Sequence, residues 1–262
     1  MAVVISVLAN KGGVGKTVTA TSIAAILSQQ SKKVLLIDVD HQGSASLTFG
    51  FDPDKFKITT FDVMVNKNKI KTANAAIFTT EIENLYIMPA NDDMTGLEFE
   101  VLTKLNEKYP NPFCLLRDGI APIRDTYDYI VIDTPPSLGL AQGNALVASN
   151  KALVVFQTDY LPIRSTLKMI ENIKMFIKHQ KLDLEVMGIL GTMYDSRVRI
   201  CNQSIDELKK TANDIRLFKT LIPRTTLFSS MPAYYGKPAV LVEPNNHLVN
   251  AYYEFIKEAE LN

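Results

Sequence analysis

With 262 residues, 47% of them hydrophobic, the chain is long enough to bury a substantial core. Lysine plus arginine equals aspartate plus glutamate, 28 against 28, so the net charge attracts neither nucleic acid nor membrane, and such binding would need a local patch. The two cysteines lie far apart, which argues against a zinc or iron–sulfur site, and no apolar run approaches the ~18 residues of a membrane span, so we expect a cytoplasmic protein.

Short apolar runs alternate with helical patterns along the chain. We predict strands at Val3–Leu8, Val34–Asp38, Leu85–Met88, Tyr129–Asp133, Leu153–Gln157, Val186–Leu190 and Phe218–Ile222. The predicted helices are Thr17–Gln30, Leu97–Lys108, Leu140–Ala148, Ile163–Lys178, Asn202–Ala212 and His247–Glu260. Apolar strands joined by helices indicate an α/β fold, a doubly wound, mostly parallel sheet with helices on both faces. Because no linker or repeat interrupts the pattern, residues 1–262 are expected to form a single domain.

The segment after the first predicted strand is rich in glycine, and residues 10–17 read Asn-Lys-Gly-Gly-Val-Gly-Lys-Thr. Glycine lets backbone N–H groups turn toward phosphate oxygens, and the start of the next predicted helix adds partial positive charge. This order of strand, loop and helix predicts a P-loop, with Lys16 at the β- and γ-phosphates and Thr17 at Mg²⁺. The other residues of this segment expected to bind the nucleotide are Lys11, Gly12, Gly13, Val14, Gly15 and Val18.

Three carboxylates follow predicted strands at their carboxyl ends, where ligands bind in parallel sheets. Asp38 and Asp40 come after an apolar run, and two carboxylates at i and i+2 of an extended segment point the same way. One could hold a lysine or a magnesium-bound water while the other orients the attacking water. Asp133 ends a second apolar run, as in a Walker B strand, whose carboxylate binds a magnesium-coordinated water. Beside a P-loop we interpret all three as part of the site rather than as strand caps.

Several stretches together resemble the ParA/MinD superfamily of ATPases. The glycine-rich loop carries an additional lysine, Lys11, as in the deviant P-loop of that superfamily. Residues 38–43 (DVDHQG) resemble its switch I, with histidine in place of the usual proline, and residues 133–137 (DTPPS) resemble its switch II. The late part of the chain, with residues 191–197 (GTMYDSR), 222–224 (IPR), Pro232 and 236–238 (GKP) in this order and spacing, resembles the C-terminal part of Soj-type ParA proteins.

The resemblance implies roles for individual residues. Lys11 would reach across a dimer interface to the partner's nucleotide and act in catalysis with Lys16. Asp40 would position the catalytic water, and Asp38 would support the magnesium and phosphate network together with Asp133. The residues that would surround the adenine are Met193, Pro223, Arg224 and Thr225.

The resemblance also implies a function in plasmid or chromosome segregation. An ATP-bound homodimer would hydrolyse ATP slowly, bind double-stranded DNA without sequence preference at the nucleoid, and be stimulated by a ParB-like centromere-binding protein. Between Arg164 and Arg224 the sequence has 12 basic and 7 acidic residues, which suits a phosphate-binding surface. Leu227 stands where these proteins have a second DNA-contacting arginine. The expected DNA-binding residues are Arg197, Arg199, Lys209, Lys210 and Arg224.

Three other functions were weighed. A MinD-like membrane-cycling ATPase ends in a basic amphipathic helix, but here the polar face of the last predicted helix carries Glu254, Glu258 and Glu260 against Lys257. Anionic lipid would repel that face, so we expect core packing and no membrane binding. A reductase of the nitrogenase iron-protein type needs cysteines that bridge its dimer, and the cysteines here lack that placement. A nucleotide-dependent biosynthetic ligase needs a second substrate pocket, which the sequence does not indicate.

Overall fold

One twisted sheet organises the chain. Its strands are β1 (Val3–Leu8), β2 (Val34–Asp38), β3 (Phe78–Thr79), β4 (Leu85–Met88), β5 (Tyr129–Asp133), β6 (Lys151–Gln157), β7 (Glu185–Tyr194) and β8 (Leu217–Pro223). The computed structural model describes residues 1–66, 68–105, 107–158, 163–212 and 215–261. Within these residues the strand order is β3-β4-β2-β5-β1-β6-β7-β8, and every neighbouring pair is parallel except β3 with β4. The predicted fold class, a doubly wound, mostly parallel α/β sheet, is confirmed.

Helices cover both faces of this sheet. They are α1 (Lys16–Gln29), α2 (Ser44–Thr48), α3 (Thr60–Val65), α4 (Lys69–Ala75), α5 (Leu97–Leu102), α6 (Leu115–Ile120), α7 (Leu140–Ala148), α8 (Ile163–Gln180), α9 (Arg199–Thr211), α10 (Leu227–Tyr235), α11 (Ala239–Val242) and α12 (Ala251–Glu258). The core is divided by the sheet, because alternate residues of each strand point to opposite faces. Leu36 and Val131 pack with α1, α11 and α12, whereas Ile37 and Ile132 pack on the other face with α3, α6 and α7.

This alternation fixes the direction of two carboxylates. Asp38 follows Leu36 by two residues on β2, and Asp133 follows Val131 by two residues on β5, so both lie on the face that α1 covers. Asp38 and Asp133 are also register partners in the ladder between the two strands. The sheet therefore brings both side chains together beneath the start of α1.

Some predicted boundaries were wrong. The helix predicted at Leu97–Lys108 ends at Leu102, where the Thr103 hydroxyl donates to the Phe99 carbonyl at 2.7 Å and competes with the helical bonds. Asn106, within that prediction, lies outside the described residues. The helix predicted at His247–Glu260 covers only Ala251–Glu258, because the preceding residues form turns around the Asn246 carbonyl. The helix predicted at Asn202–Ala212 is Arg199–Thr211.

The C-terminal helix packs in the core, as predicted. The side chains of its apolar face, Tyr252, Phe255, Ile256 and Ala259, are all buried and belong to the same cluster as the buried face of α1. None of the helices in the described part of the chain is both long and apolar enough to cross a bilayer.

Candidate active site

The glycine-rich loop connects β1 to α1 and faces an open cavity. Gly13 and Gly15 have φ angles of +74° and +88°, which side chains other than glycine rarely adopt. A Cβ atom added at Gly12 or Gly13 would meet nothing within 4 Å, so their backbone borders free space. Lys16 is only 6% exposed, and its Nζ lies 3.5 Å from the Lys11 carbonyl oxygen. The loop thus presents backbone N–H groups and a nearly buried ammonium to one place.

A residue of β7 holds the back of this loop. Thr192 donates its hydroxyl to the Val14 carbonyl at 2.7 Å, while its own carbonyl accepts the Thr158 N–H at 3.0 Å. The next residue, Met193, has a φ of +54° and places its Cε 4.0 Å from a Cβ built on Gly15. A residue other than glycine is strained at a positive φ, and such backbone strain is frequent at functional sites. Thr192 is not among the predicted site residues, although it precedes Met193 in the stretch that resembles Soj-type ParA proteins.

The two carboxylates beneath α1, those of Asp38 and Asp133, differ in the hydrogen bonds that they accept. Asp38 accepts hydrogen bonds from the backbone N–H groups of Asp40 at 2.9 Å and Ala45 at 3.0 Å. Both carboxylate oxygens of Asp133 are buried, and among the described residues no donor meets them with full hydrogen-bond geometry, although the Thr17 hydroxyl and the Thr134 N–H lie near enough to lower its pKa. An unpartnered buried carboxylate is costly and marks a place for a cation or for ordered water.

Burial also changes the acidity of this pair. Burial raises the pKa of Asp133 to about 6, although the nearby Thr17 hydroxyl and Lys16 ammonium partly oppose the change. Burial raises the pKa of Asp38 well above its ordinary value, and the negative charge of Asp133 raises it further. The hydrogen bonds from two backbone N–H groups lower this pKa but do not cancel the effect. A cation near the pair would lower both pKa values, because it favours the ionised carboxylates.

The switch I segment places Asp40 at the cavity wall. Asp40 is 8% exposed, and its Oδ1 accepts the Gln42 N–H at 3.1 Å, which orients the carboxylate. Gly43 turns the chain here with a φ of +61°, and a Cβ on it would lie 2.6 Å from Pro53 Cγ, so only glycine fits. His41, in the position of the family's proline, lies half-exposed, with its Nδ1 3.9 Å from Asp92 Oδ1.

The cavity itself has a volume of about 920 Å³ and a mixed lining. Its lining includes Gly12, Lys16 and Thr17 of the loop and α1, together with Asp40. It also includes the apolar side chains of Leu47, Phe51, Met193, Phe228 and Pro232. Polar groups for phosphates and apolar surface for a base are what a nucleotide requires.

The predicted adenine residues are only partly at this cavity. Met193 lines it, whereas Pro223, Arg224 and Thr225 are not among the lining residues. They lie at the end of β8, beside β7, and the Arg224 N–H donates to the Tyr194 carbonyl at 2.9 Å. Helix α10, which comes directly after them, forms that wall instead. Its Pro232 and the following Gly236 belonged to the late stretch that carried the resemblance, but Phe228 was not singled out.

The predicted DNA-binding residues are all exposed: Arg197, Arg199 and Arg224 follow the carboxyl ends of β7 and β8, whereas Lys209 and Lys210 lie at the far end of α9. Arg197 forms a two-pronged ion pair with Asp195, from Nε to Oδ1 at 2.9 Å and from Nη2 to Oδ2 at 2.7 Å. This pair lowers the pKa of Asp195 to about 2. Arg199 begins α9, and Lys209 and Lys210 lie in its last turn, so the helix spaces these charges by roughly 15 Å.

Fold and site together define a P-loop ATPase with an extra lysine in its loop. Residues 2–186 match a family model described as an AAA domain. The chain is 33% identical to the sporulation initiation inhibitor protein Soj of Bacillus subtilis (strain 168), over the whole of both chains. It is 34% identical to the chromosome partitioning protein ParA of Myxococcus xanthus, over 92% of this chain and 81% of that protein. The chain belongs to the ParA/Soj family of partitioning ATPases.

A solved structure agrees with the observed fold. Cobyrinic acid a,c-diamide synthase from Mycobacterium smegmatis, with bound ATP analog and magnesium, superposes with a TM-score of 0.85 at 29% identity. The match covers 98% of this chain and 93% of that one. A nucleotide and its magnesium are therefore held on this architecture in that protein.

Proposed function

We propose that the chain is an ATP-driven switch for the partition of plasmid or chromosomal DNA. It binds ATP with Mg²⁺, forms a nucleotide-sandwich homodimer, binds DNA without sequence preference in that state, and is released when a ParB-like partner accelerates hydrolysis. One observation carries the proposal. A glycine loop with positive φ angles, its nearly buried Lys16 and the buried Asp133 come together at the amino-terminal end of α1, where the loop and Lys16 line the cavity.

The residues at this end fit a magnesium–nucleotide complex. Within the described ranges, no group of three or more His, Cys, Asp or Glu side chains could hold a metal ion by itself. Mg²⁺ suits such a place, because it usually keeps several waters and binds one or two carboxylates together with substrate phosphates. Thr17, Asp38 and Asp133 would hold it, and when bound it would neutralise charge on the phosphate oxygens.

The protein's own groups supply positioning and charge. The loop N–H groups and the Lys16 ammonium would surround the β- and γ-phosphates, and they are already fixed by Thr192 and by burial. Asp40, oriented by the Gln42 N–H, would hold the attacking water at the cavity wall. Hydrolysis needs little more than this positioning, so a water held by a single carboxylate gives slow turnover.

Two properties of the loop support the proposed dimer. Lys11 is exposed at its start, where it could reach a second copy, and Gly12 has open space around its Cβ position within one protomer. In the dimer, Lys11 would contact the partner's γ-phosphate. The exposed basic residues Arg197, Arg199, Lys209, Lys210 and Arg224 would then contact DNA phosphates.

The proposal is tested by one comparison. DNA retention is measured with Mg²⁺–ATP, with ADP and without nucleotide, at two salt concentrations, with anionic liposomes as a parallel arm. Retention that requires ATP and falls with salt supports the proposal. Retention by liposomes instead of DNA would favour the membrane-cycling alternative, and calorimetry that detects no binding of any adenine nucleotide would overturn the ATP site itself.

A further inference from the structure

A buried tyrosine near the end of the chain joins two walls of the nucleotide cavity. Tyr252 of α12 is 1% exposed, and its hydroxyl oxygen lies 3.0 Å from Thr19 Oγ1 on α1. Its ring packs edge-to-face against Phe228 of α10, with centroids 5.3 Å apart and planes at 77°. Phe228 lines the cavity, whereas Tyr252 does not. Tyr252 therefore contacts both walls from behind.

The hydroxyl contact acts on the first turn of α1. The Thr19 N–H donates to the Gly15 carbonyl at 2.9 Å, which closes the turn that carries Lys16 and Thr17. Thr19 is fully buried, so water does not replace its side-chain hydrogen bond when the partner is removed. The rotation of this turn about the helix axis thus depends in part on a residue more than 230 positions away in sequence.

The ring contact acts on α10. None of the residues of this helix is fully buried, and the helix contains Pro232, which removes one backbone N–H from its hydrogen bonding. Because α10 lies at the surface without a buried residue, its position depends on a few side-chain contacts. The edge-to-face pair of Phe228 with the deeply buried Tyr252 is one of them.

We propose that Tyr252 is a positioning residue for the nucleotide reaction: its hydroxyl fixes the first turn of α1 with Lys16 and Thr17, and its ring fixes the apolar wall formed by α10. Tyr252 touches no substrate and acts through Thr19 and Phe228. The inference rests on the proposed ATP site in the cavity. By this proposal, α12 contributes to nucleotide binding in addition to covering the core.

The neighbouring tyrosine provides a matched control. Tyr253 lies on the same helix, and its hydroxyl lies 2.9 Å from Gln29 Oε1 and 2.8 Å from the Val240 carbonyl oxygen. Gln29 is the last residue of α1, at the opposite end from the glycine loop. Tyr252→Phe and Tyr253→Phe therefore make the same chemical change on one helix, but only the first acts on the turn beside the phosphates.

The two variants are compared by calorimetry with Mg²⁺–ADP, by kcat/KM for ATP, and by the Tm of the nucleotide-free protein. We expect both to lower Tm. Tyr252→Phe is expected to weaken ADP binding and to lower kcat/KM by roughly fivefold, the worth of one hydrogen bond. Tyr253→Phe is expected to leave both quantities at the wild-type value. Equal nucleotide affinities in the two variants would overturn the proposal and leave Tyr252 a purely structural residue.

A second set of variants tests the route through Thr19. Thr19→Val removes the same hydrogen bond from the other side, so it should reproduce Tyr252→Phe. The double variant should bind ADP no more weakly than either single variant, because the effects of substitutions at two contacting residues are not additive. Fully additive losses in ADP affinity would refute the route. Failure of the wild-type protein to bind ADP would instead refute the ATP site, and so the two failures can be told apart.

Discussion

Replacing Asp133 with asparagine should stabilise the nucleotide-free protein at neutral pH. The pKa of Asp133, raised by burial from the ordinary 3.8 to about 6, means that keeping it ionised at pH 7 costs the native state about 3 kcal/mol. The asparagine amide is also unpaired there, which costs about 1 kcal/mol. We therefore expect Asp133→Asn to gain about 2 kcal/mol, or roughly 4–8 °C in Tm for a chain of this size.

The sign of the pH dependence follows from the direction of the shift. Because the pKa is higher in the native than in the unfolded protein, the native state binds the additional proton between pH 4 and pH 6. Stability from this group is therefore greatest below pH 4 and is lost as the pH rises through about 6. Asp38, whose pKa is also raised, adds to the same trend. The advantage of Asp133→Asn should disappear when the pH falls to 4.

Chemical unfolding without Mg²⁺ at pH 7 and at pH 4 measures this difference. Asp206→Asn, which removes an exposed carboxylate from α9, is the control and should change stability little at either pH. Addition of Mg²⁺ and ADP should stabilise the wild-type protein more than Asp133→Asn. If Asp133→Asn is less stable than the wild-type protein at pH 7 without Mg²⁺, the inference that the buried, ionised Asp133 carboxylate destabilises the nucleotide-free protein is wrong.

The remaining predictions concern phosphate, water and DNA. Lys16→Ala should weaken ATP binding by roughly 10- to 100-fold, the worth of a hydrogen bond to a charged group, and wild-type affinity by calorimetry would defeat the P-loop assignment. Asp40→Ala should lower kcat by about 10²-fold or more and hold an ATP-bound dimer in size-exclusion chromatography, so normal turnover would remove Asp40 from the mechanism. Reversing the charge of Arg197 and Arg199 should reduce the slope of log affinity for DNA against log salt by about two, whereas Lys257→Glu on α12 should not; an unchanged slope would locate the DNA surface elsewhere.

The sheet and the phosphate loop could be predicted because their signals are local. Strands such as Tyr129–Asp133 are continuous apolar runs, and the observed strand has the same bounds. Two glycines of the loop, Gly13 and Gly15, stand where the backbone has a positive φ, which is the conformation that a glycine-rich motif predicts. The short helices α3 and α4 were missed although both have caps, a box between Thr59 and Asp62 and the side chain of Asn68. Their few residues show too little periodicity to be recognised.

The apolar wall of the cavity could not be predicted in the same way. Pro223, Arg224 and Thr225 were chosen from resemblance, but the lining side chains come from the helix that follows them. Which face of α10 meets the cavity is decided by tertiary contacts, among them the ring of Tyr252 on Phe228, and no local sequence pattern predicts that contact. The same holds for Thr192, whose hydroxyl bond to Val14 joins residues 178 positions apart.

Asp133 illustrates what a sequence pattern leaves out of a site. Its position at the end of an apolar run predicts a carboxylate at the sheet edge, but an aspartate there could equally accept two backbone N–H groups, as Asp38 does. Only the packed structure reveals that both oxygens of Asp133 are buried, with the Thr17 hydroxyl and the Lys16 ammonium of α1 as the nearby groups that favour its charge. The native state keeps this ionisable group in an environment that raises its pKa, at a cost that apolar or amide side chains would avoid. Such a cost is offset when a cation binds, so the buried Asp133 carboxylate supports the proposed binding of magnesium and nucleotide beside it.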